Sequence, residues 1–475
     1  MKLKFCGSTI SVTGSCLLIE DENQRILVDC GMYQEKEMQI NNTLPFPFDP
    51  CSINFLILTH AHLDHCGLIP KLYNLGFNGN VYCSYQTMEL CKIILYDSAK
   101  IQEMNFRKNN FESKNFIYNS IDVDYAMAKF KPIQTELDIY INNKYHITLL
   151  PVGHILGACS VLFSNNEKTL LFSGDIGRIN QSIIKSFTEY DFSKITPDFI
   201  VMETLYGGRN HENKDIGIKK IVETINQIKI KNSKLIIPIF ALHRAQEILE
   251  LLNFLFISKN ISNSKCMIFF DSPMGIDVTK VYLNNISQFN SYATFLNRKV
   301  NYVFENDKIT DDEQFIINQN KRFSPLNYIQ VVKNSKSKKL INSKNSIILA
   351  ASGMADGGRI IKHLYSGLED PNNYIVFVGY QAEDTLGRKL VDGEKFVTIL
   401  DKRINVRAKI LYLRGFSAHG DNDDLNIWMN KFNLTKLKKT FLVHGEVITK
   451  QAFSKQLDLH GISNYIPQKN EEVML

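Results

Sequence analysis

Apolar positions along the chain change their period near residue 205. Before it, short β-rich runs alternate with polar turns, as the strands of a buried sheet do. Cys16–Glu20 and Ile26–Asp29 flank the polar turn Asp21-Glu22-Asn23-Gln24 and predict a hairpin. Phe55–Thr59, Tyr145–Leu150, Ser160–Phe163 and Thr169–Phe172 predict further strands. The opening Met1-Lys2-Leu3-Lys4-Phe5 reads as a strand and turn of the mature fold, because Gly7, Ser8, Thr9 and Gly14 interrupt any signal-peptide core.

After that point Ile218, Ile221, Val222, Ile225 and Ile228 recur at helical spacing, and Leu235–Phe240 predicts a strand. A helix from Arg244 to about Phe256 leads to a strand over Cys266–Phe270, with two more over Ile347–Ala351 and Tyr374–Val378. Strands alternating with helices predict a parallel α/β unit and hence a second domain. Between about 301 and 345 the chain is polar, Lys-rich and weakly periodic, which predicts loops and short surface helices. Two tail strands, Ile410–Leu413 and Thr440–Val443, each run into a histidine motif and suggest a return to the first sheet.

Composition changes this picture little. At 475 residues the chain is too long for one ordinary core. An apolar content of 44% and a charged content of 22% are those of a soluble globular protein. No apolar window is long enough for a membrane span. Nine cysteines without a C-x-x-C pair suggest buried hydrophobes in the cytoplasm or another reducing compartment, not a secreted disulfide frame. A net charge of +6 is compatible with a polyanionic partner but does not select one.

The candidate chemistry lies where strands stop. His60-Ala61-His62-Leu63-Asp64-His65 places four metal-capable side chains in a loop directly after the run Phe55–Thr59. Neutral imidazole suits zinc, and a carboxylate supplies the hard oxygen that lets a second cation sit beside the first. Asp29, His154 and Asp175 also fall at or just past strand ends, as do His419 and His444 in the tail. Histidines 146, 211, 243, 363 and 460 lack such context and read as structural or solvated.

The order Asp29, His60-x-His62-x-Asp64-His65, His154, Asp175 resembles the four motifs of the metallo-β-lactamase fold, and Glu203, His419 and His444 match motifs A, B and C of its β-CASP subgroup. Val12–Cys16, Gly153–Gly157, Ser173–Asp175, Glu203–Gly207, Asp271–Met274, Ala351–Met354 and Gly379–Gln381 support the likeness, which spans nearly the whole chain. The nearest look-alikes are short bacterial and archaeal relatives of the pre-mRNA 3′-end cleavage endonuclease and of ribonuclease J. The resemblance implies an α/β protein: an αββα sandwich over 1–205 and 405–475, interrupted by a parallel-sheet β-CASP domain over 206–404, with the site in the cleft between them. It assigns two zinc ions (manganese as a substitute), one to His60, His62 and His154, the other to Asp64, His65 and His444. Asp175 bridges them, and Asp29 orients the ligand loop from behind. Two such cations could share a hydroxide of lowered pKa that attacks phosphorus, with Glu203 and His419 as the general acid pair.

A zinc-dependent ribonuclease acting on single-stranded RNA follows from the resemblance, endonucleolytic and open to 5′–3′ exonucleolytic action, since His444 at motif C goes with RNA substrates in the family. Alternatives are a DNA nuclease of the same family, a non-catalytic scaffold subunit of an RNA-processing complex, and a small-molecule hydrolase. No membrane partner is expected, and a homodimer that assists RNA binding stays open. Ser352, Gly353 and Arg359 fit either a phosphate contact or a tight strand-to-helix turn needing positive φ. The group Lys333, Lys336, Lys338 and Lys339 reads better as a solvated face than as an RNA track. Two positions depart from the family pattern: Leu205, where a small or hydroxyl residue is usual, and His243, where glycine is common.

Overall fold

The computed structural model describes residues 1–35, 37–108, 116–141, 143–257, 266–290, 329–331 and 337–475. Most of the Lys-rich stretch, with the side chains of its lysine group, lies outside them. Contacts divide the chain into two units: residues 1–181, 185–210 and 419–475 form the first, and 182–184 with 211–418 the second.

The first unit is built on two seven-stranded sheets. One runs in the order Glu472–Met474, Lys2–Phe5, Leu17–Asp21, Gln24–Val28, Phe55–Ile57, Asn80–Ser84, Phe130–Ile133. The other runs Asn464–Tyr465, Lys439–Val443, Phe199–Glu203, Thr169–Phe172, Cys159–Asn165, Tyr145–Pro151, Ile139–Ile141. Alternation makes the core. Leu3 and Phe5, Ile147 and Leu149, Val161 and Phe163, and Phe199 and Val201 sit two apart on their strands and share one buried cluster. Phe5 of the first sheet packs on Phe441 of the second, ring centroids 5.3 Å apart. Helices cover the outer faces: Tyr85–Lys108 packs on the first sheet and Val447–Leu459 on the second, completing the αββα layering. The expected hairpin is present, Leu17–Asp21 pairing antiparallel with Gln24–Val28.

The second unit carries a six-stranded sheet in the order Ile329–Val331, Met267–Asp271, Ser346–Ala350, Lys234–Pro238, Tyr374–Phe377, Lys409–Tyr412, every pairing parallel. Strands buried on both faces read as continuous apolar runs, as Leu235-Ile236-Ile237 and Ile347-Ile348-Leu349 do. The strand Lys409–Tyr412 pairs with Tyr374–Phe377, so it does not return to the first sheet. The chain rejoins the first unit at His419, later than residue 405. The hydrophobic pattern of that strand marked its existence but carried no information on which sheet edge it would extend. Among the described residues no helix is long and apolar enough to cross a membrane, and all nine cysteines are free, eight of them buried.

Candidate metal centre

The strand Phe55–Ile57 is buried at every position and delivers the chain into the histidine run. That run does not stay an open loop throughout. Leu63–Cys66 closes one helical turn, with the backbone N–H groups of His65 and Cys66 both donating to the His62 carbonyl. Asp64 in the first turn suits the positive end of the helix dipole. Glycine makes room beside the turn: a Cβ on Gly31 would stand 1.6 Å from the Asp64 carbonyl oxygen. Gly174 takes φ +58° to turn the chain from Ser173 into Asp175, an angle that glycine tolerates best.

Seven of the residues singled out in the sequence meet in the first unit. His62 Nδ1 lies 3.1 Å from both His60 Nε2 and His154 Nε2. Asp175 Oδ2 lies 3.3 Å from His60 Nε2 and 3.5 Å from His154 Nε2. Its other oxygen, Oδ1, lies 3.2 Å from both His65 Nε2 and His444 Nε2, and Asp64 Oδ2 is 3.9 Å from His65 Nε2. Donors therefore gather on both sides of one carboxylate, His60, His62 and His154 with Asp175 on one side and Asp64, His65 and His444 on the other, where Asp175 Oδ1 stands beside His65 and His444; Asp175, His419 and His444 make a third such group.

The imidazole tautomers follow from what stands behind them. Asp29 Oδ2 accepts from His65 Nδ1 at 2.6 Å, so the His65 lone pair sits on Nε2. Thr59 Oγ1 lies 3.0 Å and 2.9 Å from the two Asp29 oxygens and gives its proton there. It must then accept from His60 Nδ1, 3.0 Å away, which leaves the His60 lone pair on Nε2 as well. His65 Nε2 and Asp175 Oδ1 are buried and lack a hydrogen-bond partner, although they lie only 3.2 Å apart. Two acceptors facing each other so closely repel unless a cation or a proton lies between them.

A divalent cation fits the spacing. Atoms about 2.0–2.1 Å from a tetrahedral centre lie about 3.3–3.4 Å from one another, and four of the six donor separations in the His60 set run from 3.1 to 3.5 Å, all six being within 4.8 Å. Burial lowers His60, His62 and His154 and pushes His444 down to about 3, holding these rings neutral as ligation requires. Burial would raise Asp175, but His444, His65 and His60 around it pull it well below the usual carboxylate range. Burial would likewise lower His65, yet Asp175 and Asp29 raise it well above its ordinary value.

Glu203 and His419 form a distinct arm. Glu203 Oε1 accepts from the Ile176 backbone N–H at 2.6 Å and lies 3.3 Å from His419 Nδ1; its Oε2 accepts from Leu205 N. His419 Nε2 reaches to 3.9 Å from Asp175 Oδ2. Burial would lower His419, but the fields of Glu203 and Asp175 raise it. The His419 side chain is 20% exposed, against 3% or less for His60, His65, His154, His444 and Asp175. Asp64 is 15% exposed and His62 half-buried as well, so the cluster is open along His419, His62 and Asp64.

Ser352, Gly353 and Arg359 belong to the second unit. Gly358 takes φ +71° and the Ile360 N–H returns to the Ala351 carbonyl, so a tight strand-to-helix turn is present. Arg359 donates to the buried Asp271, which also accepts from His363 Nε2 at 2.8 Å. Two supports went unremarked in the sequence, Thr59 and Ser8. Thr59 adjoins the histidine run; Ser8, beside His444, carried no motif signal.

Family models match three stretches: the metallo-β-lactamase superfamily over residues 11–206, the Beta-Casp domain over 245–390, and a Zn-dependent metallo-hydrolase RNA specificity domain over 403–467. The chain is 31% identical over 467 residues to Ribonuclease TTHA0252 of Thermus thermophilus, covering 97% of each protein. It is 29% identical to an RNase J-like protein of Methanocaldococcus jannaschii, covering 94% of this chain and 92% of that one. A crystal structure of a protein of unknown function from Enterococcus faecalis shares the fold, with a TM-score of 0.56 at 13% identity over 100% of this chain and 99% of that one. By the matched family models and the likeness to the Thermus thermophilus ribonuclease over nearly its whole length, the chain belongs to the β-CASP branch of the metallo-β-lactamase superfamily.

Proposed function

We propose that the protein is a metal-dependent ribonuclease that hydrolyses phosphodiester bonds of single-stranded RNA, leaving 3′-hydroxyl and 5′-phosphate ends. The observation that carries this reading is the shared carboxylate: Asp175 faces three histidines through one oxygen and two through the other, with His419 on the open side. His60, His62 and His154 would hold one cation, Asp64, His65 and His444 the other, both touching Asp175, with zinc the natural occupant of so nitrogen-rich a set. Bound there, such ions supply Lewis acidity that acidifies water and offsets the charge growing on the phosphoryl oxygens.

The chain's own residues account for the rest. Thr59 and Asp29 keep His60 and His65 in the tautomers that turn Nε2 inward. Glu203 accepts from His419 Nδ1, which favours the imidazolium and leaves a proton on Nε2, the ring atom 3.9 Å from Asp175 Oδ2. When the bond from phosphorus to the 3′-oxygen breaks, that proton goes to the departing oxygen, and the neutral ring remains on Glu203. An RNA substrate is in keeping with the RNA specificity domain matched by residues 403–467 and with the ribonuclease names of the relatives.

Matched RNA and DNA oligonucleotides, 5′-labelled as triphosphate or monophosphate, test this directly. Cleavage of RNA should stop on chelation and resume with zinc or manganese. Product ends would then give the balance of endonuclease and exonuclease action. Absence of metal-dependent RNA cleavage under every condition would overturn the proposal.

A further inference from the structure

The support behind His444 differs from that behind the other imidazoles. Its Nδ1 lies 3.4 Å from Ser8 Oγ, and the Ser8 hydroxyl donates to the Val12 carbonyl at 3.1 Å. Ser8 can then only accept from the ring, which puts the His444 lone pair on Nε2, beside Asp175. The backbone repeats the contact, since the His444 N–H donates to the Ser8 carbonyl at 2.7 Å. Both residues hold positive φ, 54° at Ser8 and 47° at His444. Such an angle is strained for a residue other than glycine and persists only where its surroundings hold it.

Two side chains far apart in sequence hold the Ser8 loop. Glu35 accepts from the backbone N–H groups of Val12 and Thr13 at 2.9 and 3.0 Å and from the Thr13 hydroxyl. Lys450, on the helix Val447–Leu459, donates its Nζ to the Thr9 carbonyl. Lys450 is only 1% exposed. An ammonium taken so far from water is expensive, and burial lowers its pKa from the ordinary lysine value. Its place at the loop that seats His444 calls for an account.

We propose that Lys450 is a positioning residue for the Asp64/His65/His444 cation: by fixing the Thr9 carbonyl it seats Ser8, whose hydroxyl sets the metal-accepting tautomer of His444. This inference rests on the ligand assignment made above. The support of the other set is separate, because His60 takes its tautomer from Thr59 and Asp29. Loss of Lys450 should therefore weaken one ion and spare the other.

Lys450→Met removes the donor and keeps the length of the stem. Zinc binding to the full chain, followed by chelator competition, should show two ions on the unaltered protein. In Lys450→Met one of the two should bind on the order of 10–100-fold more weakly, the usual effect of removing an outer contact, with the other unchanged. Ser8→Ala should do the same, and the double variant should bind no more weakly than Ser8→Ala alone, because both act along one path. Thermal unfolding of the metal-free proteins reports whether each variant folds. Two ions at unaltered affinity in Lys450→Met, or equal weakening of both, would overturn the relay. Should Lys450→Met not fold, Ser8→Ala decides: selective weakening supports the relay, and unaltered binding of both ions overturns it. Fewer than two ions on the unaltered protein would instead overturn the ligand assignment.

Discussion

Among the residues of the cluster, position alone separates roles that chemistry leaves alike. Asp175 and Glu203 are both buried carboxylates, yet Asp175 touches four imidazoles at 3.2–3.5 Å while Glu203 meets only His419 in the cluster, at 3.3 Å. Asp175→Asn should therefore abolish tight metal binding, read as metal per chain after dialysis. His419→Ala should keep both ions and lose about 10²–10⁴-fold in cleavage rate, the usual contribution of a general acid. Equal metal retention and equal slowing in the two variants would undo that division. Thr59→Val offers a finer cut, since it keeps the shape and removes the hydroxyl that accepts from His60 Nδ1. It should weaken metal binding on the order of 10–100-fold, with the ion of the His60 set more affected. His60, His62, Asp64 and His65 stand out in the sequence as a close-spaced run, whereas His154, Asp175, His419 and His444 were tied to them by the resemblance to the family's motifs. Thr59 and Ser8 do not stand out, because a hydroxyl that sets a tautomer leaves no periodic trace.

Secondary-structure elements explain both what the sequence disclosed and what it hid. Strand ends were readable because an apolar run that stops at a polar residue is a one-dimensional signal, and Asp29, His60, Asp175 and His444 each follow such a run directly or within three residues. Sheet membership is a pairing between distant segments, so Lys409–Tyr412 could not be placed until its parallel partner Tyr374–Phe377 was seen. The helical turn at Leu63–Cys66 was hidden for a different reason: four residues are too few to show a 3.6-residue period. The two departures from the family pattern also resolve at this scale. Leu205 meets the site through its backbone, its N–H donating to Glu203 and its carbonyl accepting from Arg209. His243 sits at φ +66°, just before the helix Arg244–Ile257, an angle at which glycine carries no steric penalty. That is a physical reason for glycine at the position, and it makes this histidine a strained exception.

For the whole molecule, the two units should answer to different variables. Every candidate metal ligand lies in the first unit, so a bound cation stabilises that unit by mass action, about 4 kcal/mol at a thousandfold excess over Kd. His243 lies in the second, 1% exposed, with its Nδ1 2.9 Å from the Tyr282 hydroxyl. Burial lowers it to about 4, against the raising field of Glu247. A histidine depressed in the folded state binds its proton more readily when unfolded. Its contribution is thus complete above pH 6.5, and it falls away as the pH drops from there towards about 4. The full swing amounts to about 3 kcal/mol at 1.36 kcal/mol per pKa unit. His243→Gly should therefore flatten the loss of stability between pH 6.5 and 4.5, measured as the difference from the unaltered protein by denaturant unfolding with chelator present. Chelator keeps acid release of metal from mimicking the effect, and the difference between proteins cancels the buried histidines of the first unit. An acid limb of equal steepness in both proteins would show that His243 takes up its proton without opening the fold.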